Sequence, residues 1–207
     1  MAQIKAVIFD YGGVISTDQV RSEVEAMLGL LRVEESQFYR WYYHYRPYYD
    51  LGSTGEEYWQ KVLAACGVDY SPELASKLIT HDVKSWTQLN PAVLEWVADL
   101  KIDGYQLGII SNMVWEVLDY MRAHFDWLRQ DLFTSQVYSC HWRVIKPDPR
   151  IYRISLEELG RKPEECLFID DREANLAAAQ KLGFKVFHFQ GPAAFEDLQS
   201  YFALCAD

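Results

Sequence analysis

The sequence predicts an α/β fold, a parallel sheet with helices on both faces, into which an all-helical segment is inserted after the first strand. Three observations predict it. Short, apolar, β-prone runs alternate with helical patterns along most of the 207 residues, as in sheets whose strands are joined by crossover helices. Asn, Asp or Ser immediately before a proline marks several helix starts. Between about residues 17 and 86 the pattern is helical throughout, with no convincing strand.

The run Ile4-Lys5-Ala6-Val7-Ile8-Phe9 is the first strand; it stops at Asp10, and Gly12 and Gly13 follow, as when a buried strand feeds a loop. Similar runs cover 106–110, 166–169 and 185–189. Helical patterns occupy 91–101, 114–124, 149–159, 173–182 and 193–204, which makes the sheet doubly wound and Rossmann-like. Asn90-Pro91 and Asp148-Pro149 each set a capping side chain before a proline at the first helical position. Gly160 and Gly183 stand where helix ends favour a left-handed residue. Within the insertion four helices are expected near 18–31, 34–49, 54–66 and 72–86, with a capping box at Thr54-Gly55-Glu56-Glu57 and a further cap at Ser71-Pro72. The predicted organisation is thus a core domain of residues 1–16 and 89–207 and a helical domain of residues 17–88.

Half of the residues are apolar by type, enough for a full core without staples. Thirty acidic against twenty basic side chains give a net charge of −10, which argues against nucleic acid as a partner, because phosphate backbones need clustered Lys and Arg. The four cysteines, Cys66, Cys140, Cys166 and Cys205, are scattered and form no Cys-x-x-Cys pair, so buried thiols in a reducing compartment are expected rather than disulfides or a zinc site. No stretch of 18 apolar residues occurs and the N-terminus enters a strand directly, so the expected protein has no membrane association and is cytoplasmic.

Four distant stretches each end an apolar run with residues suited to phosphate chemistry: Asp10 with Gly12 and Gly13, Ser111-Asn112, Lys146-Pro147-Asp148, and Asp170-Asp171. In an open parallel sheet, ligands sit beyond the carboxyl ends of the strands, where Asp10, Ser111 and the acid pair fall. Asp10 is the natural nucleophile, since a carboxylate attacking phosphorus splits one hard displacement into two easier ones. Gly12 and Gly13 let backbone N–H groups approach phosphoryl oxygens. Ser111 offers a hydroxyl and Asn112 amide donors, while the prolines around Lys146 hold its ammonium in place. Adjacent Asp170 and Asp171 repel one another unless a cation sits between them and Asp10, and magnesium suits hard oxygen ligands at a phosphoryl site. Each stretch alone reads equally as a turn or helix cap; the specificity is in the four together, in this order.

With those motifs the chain resembles the haloacid dehalogenase superfamily of aspartate-nucleophile hydrolases over nearly its whole length, and among them the sugar-phosphate phosphatase and soluble epoxide hydrolase phosphatase-domain branch. The resemblance implies Asp10 as nucleophile and metal ligand, the Gly12 carbonyl as second ligand, and Asp171 helped by Asp170 completing the protein's share of a magnesium shell. Ser111 and Lys146 would hold the phosphoryl group, and the helical insertion would be a cap. One departure is plain: where the family's phosphatases usually carry an acid/base aspartate two residues after the nucleophile, this chain has Gly12. Asp18, His44 and His81 are conceivable substitutes. The implied activity is magnesium-dependent hydrolysis of a small phosphorylated metabolite, a phosphomonoester with sugar phosphates among the candidates. The alternatives are carbon–halogen hydrolysis of the 2-haloacid dehalogenase type and a non-catalytic member that binds a phospholigand or partner. The ring-rich stretch 38–49, with Arg40 and Arg46, reads as packing between insertion and core or as a stacking surface for a substrate.

Overall fold

Strand alternation divides the interior into two cores. The computed structural model describes residues 3–129 and 131–206. Its strands are β1 (Ala6–Phe9), β2 (Gln106–Ser111), β3 (Ser135–Tyr138), β4 (Cys166–Asp170) and β5 (Lys185–His188), and they form one sheet in the order β3-β2-β1-β4-β5. Every pairing is parallel. Val7, Phe9, Leu107, Ile109, Leu167 and Ile169 point into one core, while Ala6, Ile8, Ile110, Cys166 and Phe168 point into the other. That period of two, with apolar residues on both faces, is what a central parallel strand requires.

Eleven α-helices are described: α1 (Arg21–Leu31), α2 (Glu35–Asp50), α3 (Gly55–Cys66), α4 (Pro72–Ser85), α5 (Pro91–Ile102), α6 (Trp115–His124), α7 (Asp126–Arg129), α8 (Ser139–Trp142), α9 (Pro149–Leu159), α10 (Glu173–Leu182) and α11 (Phe195–Ala206). Helices α5, α6 and α11 bury apolar residues in the first core, α9 and α10 in the second. The four helices of the insertion join the first core through residues such as Val24, Met27, Phe38 and Leu78. The chain leaves for the insertion and returns from it side by side: Thr17 N–H donates to the Gln88 carbonyl at 2.8 Å, and Asn90 N–H to the Ile15 carbonyl at 2.8 Å.

Local chemistry sets most boundaries. The capping box at Thr54 is present in both directions, and the Ser71 and Asp148 side chains cap α4 and α9. Asn90 departs from expectation: it is buried, and its side chain makes no cap bond to α5, which starts on Pro91 alone. The expected first strand begins later, at Ala6, because Lys5 N–H bonds to the Glu165 carbonyl just outside the β4 pairing. The expected helix over 193–204 divides into a 3-10 turn, Pro192–Ala194, and α11. Strand β3 and the short α8 were not expected. The ring-rich stretch packs largely within the insertion: Phe38, Tyr42 and Tyr49 of α2 are fully buried, and Tyr49 stacks on Tyr58 of α3 with centroids 4.3 Å apart. Among the described residues no helix is long and apolar enough to cross a membrane.

Candidate active site

Parallel register brings the four stretches to one edge. Phe9 pairs with Ile109 on one side and Ile169 on the other, so Asp10 and Asp170 leave adjacent strands at the same height, with Ser111 one residue further along β2. This is the point where strand order reverses about β1, the usual ligand crevice of such sheets. They line or adjoin a cavity of about 650 Å³ between the sheet edge and the insertion, within the range of about 300–1,000 Å³ common for small-molecule sites. Asp10, Gly12, Gly13, Ser111, Asn112, Lys146 and Asp171 all line it; Asp170 sits directly behind, fully buried.

Lys146 is the hub. Its Nζ lies 2.8 Å from Asp10 Oδ2 and 2.7 Å from Asp170 Oδ2, and the lysine is only 3% exposed. Burial works against its charge, but Asp10 and Asp170 outweigh that and raise its pKa. Asn112 fixes the lysine by its backbone: Lys146 N–H donates to Asn112 Oδ1 at 2.7 Å, and Asn112 Nδ2 donates to the Lys146 carbonyl at 3.1 Å. Both ends of that amide thus help to place Lys146, and Asn112, expected from sequence to contact substrate, also lines the cavity with a second Nδ2 hydrogen not used in that clasp. The Lys146-Pro147 peptide is cis. Ser111 Oγ has only a long 3.5 Å contact to the Asn112 carbonyl and is free to turn toward a ligand.

Three acids surround that single ammonium. Asp10, Asp170 and Asp171 each offer an oxygen within 4.8 Å of the others. Burial, then the charges of Asp170 and Asp171, push Asp10 up to about 7 against the pull of Lys146. Burial and Asp170 likewise raise Asp171. Asp170 is saturated: Oδ1 accepts from Arg172 N–H at 2.8 Å and Asn175 Nδ2 at 2.9 Å, and Oδ2 from Lys146 and from Asn175 at 3.1 Å. A carboxylate has about four lone-pair sites, so Asp170 orients the lysine as well as adding a carboxylate to the cluster, and Asp10 and Asp171 are the acids of the three that line the cavity. Gly13 enables the approach: its φ is +74°, and an added Cβ would stand 3.1 Å from Asp171 Cγ. The donor set, three hard carboxylates in a crevice with one compensating cation, fits a divalent ion such as magnesium.

Several neighbours carried no sequence signal of function. His188, at the end of β5, holds the Asp171 carbonyl through Nε2 at 2.9 Å. Trp86 places its ring 3.4 Å from where a Cβ on Gly12 would be, so the position of the missing acid/base side chain is walled by an indole. Arg46, Asp50 and Tyr43 bring the insertion into the cavity; Arg46 and Tyr43 belong to the ring-rich stretch read from the sequence as a candidate stacking surface, whereas Asp50, one residue past it, was not singled out. Of the conceivable acid/base substitutes, Asp18 lines the cavity. His81 is paired with Glu23 at 2.7 Å, and His44 lies exposed against Trp41 and Tyr45.

The chain is similar to several known proteins. The chain is 27% identical to glyceraldehyde 3-phosphate phosphatase of Methanopyrus kandleri over 197 residues, covering 87% of this chain and 81% of that protein. It is 28% identical to bifunctional epoxide hydrolase 2 of Rattus norvegicus over 138 residues, 62% of this chain but only 24% of that protein, so it spans about a quarter of that relative. At 25% identity it also resembles (S)-2-haloacid dehalogenase 4A of Burkholderia cepacia, covering 87% of this chain and 80% of that enzyme. Among solved structures, a HAD family enzyme of Bacteroides thetaiotaomicron in complex with magnesium and inorganic phosphate shares the fold, with a TM-score of 0.71 at 20% identity over 89% of this chain and 93% of that one. The model of haloacid dehalogenase-like hydrolases matches residues 4–183, from the first strand to the end of α10. By that match the chain belongs to the haloacid dehalogenase-like hydrolases.

Proposed function

We propose that this hydrolase is a magnesium-dependent phosphatase of small phosphomonoesters that works through an aspartyl-phosphate on Asp10. The observation that carries the reading is the placement of Asp10 on the cavity floor, bound to Lys146 at 2.8 Å and within 4.8 Å of two further carboxylates. The relative that acts on glyceraldehyde 3-phosphate and the fold neighbour that holds magnesium with phosphate support it. Four cysteines without a disulfide, three of them buried, support a reducing, cytoplasmic setting.

Asp10 and Asp171 would hold the magnesium, with the Gly12 carbonyl as a further ligand by resemblance and Asp170 adding negative charge behind them. The ion supplies neutralisation of phosphoryl charge and keeps Asp10 ionised. An Asp10 oxygen attacks phosphorus, the bond to the leaving oxygen breaks, and water then hydrolyses the acyl phosphate to regenerate the carboxylate. Lys146 neutralises the phosphoryl oxygens from one side and Ser111 donates its hydroxyl proton from the other. No side chain at position 12 protonates the leaving oxygen, so turnover is expected about 100- to 10,000-fold below that of an enzyme with such an acid. The helices of 17–88 act as the cap that closes the cavity over the substrate and excludes water.

The dehalogenase relative and the glycine at position 12 favour carbon–halogen hydrolysis as a second reading. That chemistry forms and hydrolyses a carboxylic ester and has no use for three clustered acids. One assay separates the two: phosphate release from phosphomonoesters, and halide release from 2-chloropropionate, each with magnesium and with EDTA. Phosphate release that needs magnesium and disappears in Asp10→Asn is expected. Halide release in EDTA, or phosphate release undiminished in Asp10→Asn, removes the phosphatase reading.

A further inference from the structure

The cavity wall contributed by the insertion is chemically unlike a packing surface. Arg46 and Asp50, one turn apart on α2, both line the cavity and are paired at 3.0 Å between Nε and Oδ1. Arg46 Nη1 also reaches Asp82, wholly buried behind it, at 3.3 Å, and donates to the Tyr42 oxygen. One guanidinium therefore serves two buried carboxylates. Asp82 alone is already satisfied, because it accepts from Arg46 and from the Tyr42 hydroxyl at 2.6 Å. A cluster built only to neutralise Asp82 has no need of Asp50, whose burial costs desolvation.

What Asp50 adds is function at the wall. Among the described residues neither Arg46 Nη2 nor Asp50 Oδ2 has a hydrogen-bond partner, and neither is among the sealed, unpaired atoms. Both residues line the cavity, so the pair keeps one donor and one acceptor uncommitted at its wall. The wall is also anchored: Ser139 Oγ donates to the Asp50 carbonyl at 2.6 Å and accepts from Met113 N–H at 2.9 Å, which ties it to the loop bearing Ser111 and Asn112. Trp86 and Tyr43 line the same cavity.

A carboxylate oxygen next to a guanidinium N–H matches adjacent hydroxyls, one donating and the other accepting, and a ring face suits the C–H side of a sugar. At the wall itself Arg46 is outnumbered by the two carboxylates it pairs with, Asp50 and Asp82, so the pair offers no uncompensated cation to a second anionic group on the substrate. We propose that Arg46 and Asp50 form the leaving-group subsite and select a neutral, polyhydroxylated monophosphate, a sugar or polyol monophosphate, over bisphosphates and aryl phosphates. This inference rests on the phosphatase reading and names its substrate class.

The test measures kcat and KM in magnesium for hexose, pentose and triose monophosphates, a hexose bisphosphate and p-nitrophenyl phosphate, with the wild-type enzyme and Asp50→Asn. The wild type is expected to prefer at least one sugar monophosphate over both the bisphosphate and the aryl ester in kcat/KM. Asp50→Asn is expected to lower the ratio of kcat/KM for that sugar to kcat/KM for p-nitrophenyl phosphate about ten-fold, the size of one charge-assisted hydrogen bond, mainly through KM. A merely structural Asp50 lowers both substrates together and leaves the ratio unchanged. If Asp50→Asn fails to fold, Asp50→Glu, which keeps the charge and displaces the oxygen, is read by the same ratio. An unchanged ratio, or a wild type that prefers the bisphosphate or aryl ester, overturns the subsite while the phosphatase reading stands; no phosphate release from any substrate overturns both.

Discussion

Lys146 carries the charge balance of the site, and its removal exposes what it offsets. It holds Asp10 at 2.8 Å and Asp170 at 2.7 Å in a place with almost no solvent. Taking one partner from a buried ion pair typically costs about 3–5 kcal/mol. For a chain of this size that is about 6–20 °C in melting temperature, so Lys146→Ala is expected to melt lower by an amount in that range in EDTA and to lose phosphate release. Equal melting curves would mean that the carboxylates find other compensation. Asp10 gives a pH signature whose sign follows from its raised pKa. Folded, it titrates near 7 instead of its ordinary 3.8, because burial and the neighbouring acids disfavour the anion. Below about pH 4 the group is protonated folded and unfolded alike and has no effect. Between about 4 and 7 the unfolded chain releases the proton while the folded one keeps it, so stability falls as pH rises. Denaturant unfolding in EDTA is expected to show this decline, Asp10→Asn to flatten it, and magnesium to stabilise more at pH 8 than at pH 5, since ligation requires the anion.

Helix ends show where local chemistry decides and where it does not. In α3, Thr54 Oγ1 accepts from Glu57 N–H at 3.2 Å and Glu57 answers at Thr54 N–H at 3.0 Å. Loss of such a cap costs typically about 1 kcal/mol, so Thr54→Ala is expected to lower the melting temperature by about 2–4 °C in a thermal scan, with no change in kcat. These signals are carried by residues a few positions apart, which is why α9 and α10 were legible to the residue: Asp148-Pro149 opens one, and Gly160 and Gly183 close them. Strand β3 was not legible. Ser-Gln-Val-Tyr is short and half polar, and its Ser135 is buried only because it meets Ser155 of α9 at 2.9 Å. A partner twenty residues away leaves no mark on local pattern. Asn90 failed for the same reason: the capping residue type was there, but its backbone is held by Ile15 across the entry to the insertion. The site followed this division. Strand ends announced Asp10, Ser111 and Asp170 as polar stops, whereas the Arg46–Asp50 wall, the Trp86 ring over Gly12 and the Asn112 clasp on Lys146 arise from long-range packing.

Among the described contacts that join the insertion and the sheet, three set how the cavity is held. The antiparallel crossing of residues 15–17 and 88–90 is the first. The second is Glu116 of α6, whose Oε1 accepts from Gly55 N–H at 2.6 Å, so a carboxylate from the core meets the N-terminus of α3 in the insertion. The Gly55 backbone lies so close to these neighbours that a Cβ there would stand 2.8 Å from the Glu116 Oε1 and Ile79 Cδ1 side-chain atoms. Ser139 is the third: one buried hydroxyl couples Met113, just past the Ser111 strand end, to Asp50 at the end of α2. Ser139 links the end of the Ser111 strand to the cavity wall directly, as the Tyr11 hydroxyl does by donating to the Trp86 carbonyl at 2.8 Å, so loss of Ser139 is expected to be felt in both stability and binding. Ser139→Ala leaves the Met113 N–H and Asp50 carbonyl without that partner, and an unsatisfied buried group costs about 1–3 kcal/mol, or about 2–12 °C in melting temperature. Hydrogen exchange read by mass spectrometry should then rise at residues 50–55 and 111–114 together, because the same bond restrains both. Faster exchange in one segment only, or an unchanged melting curve, would show that the two halves are held independently, with the crossing at 15–17 and the Glu116 contact sufficient to fix the wall over Asp10.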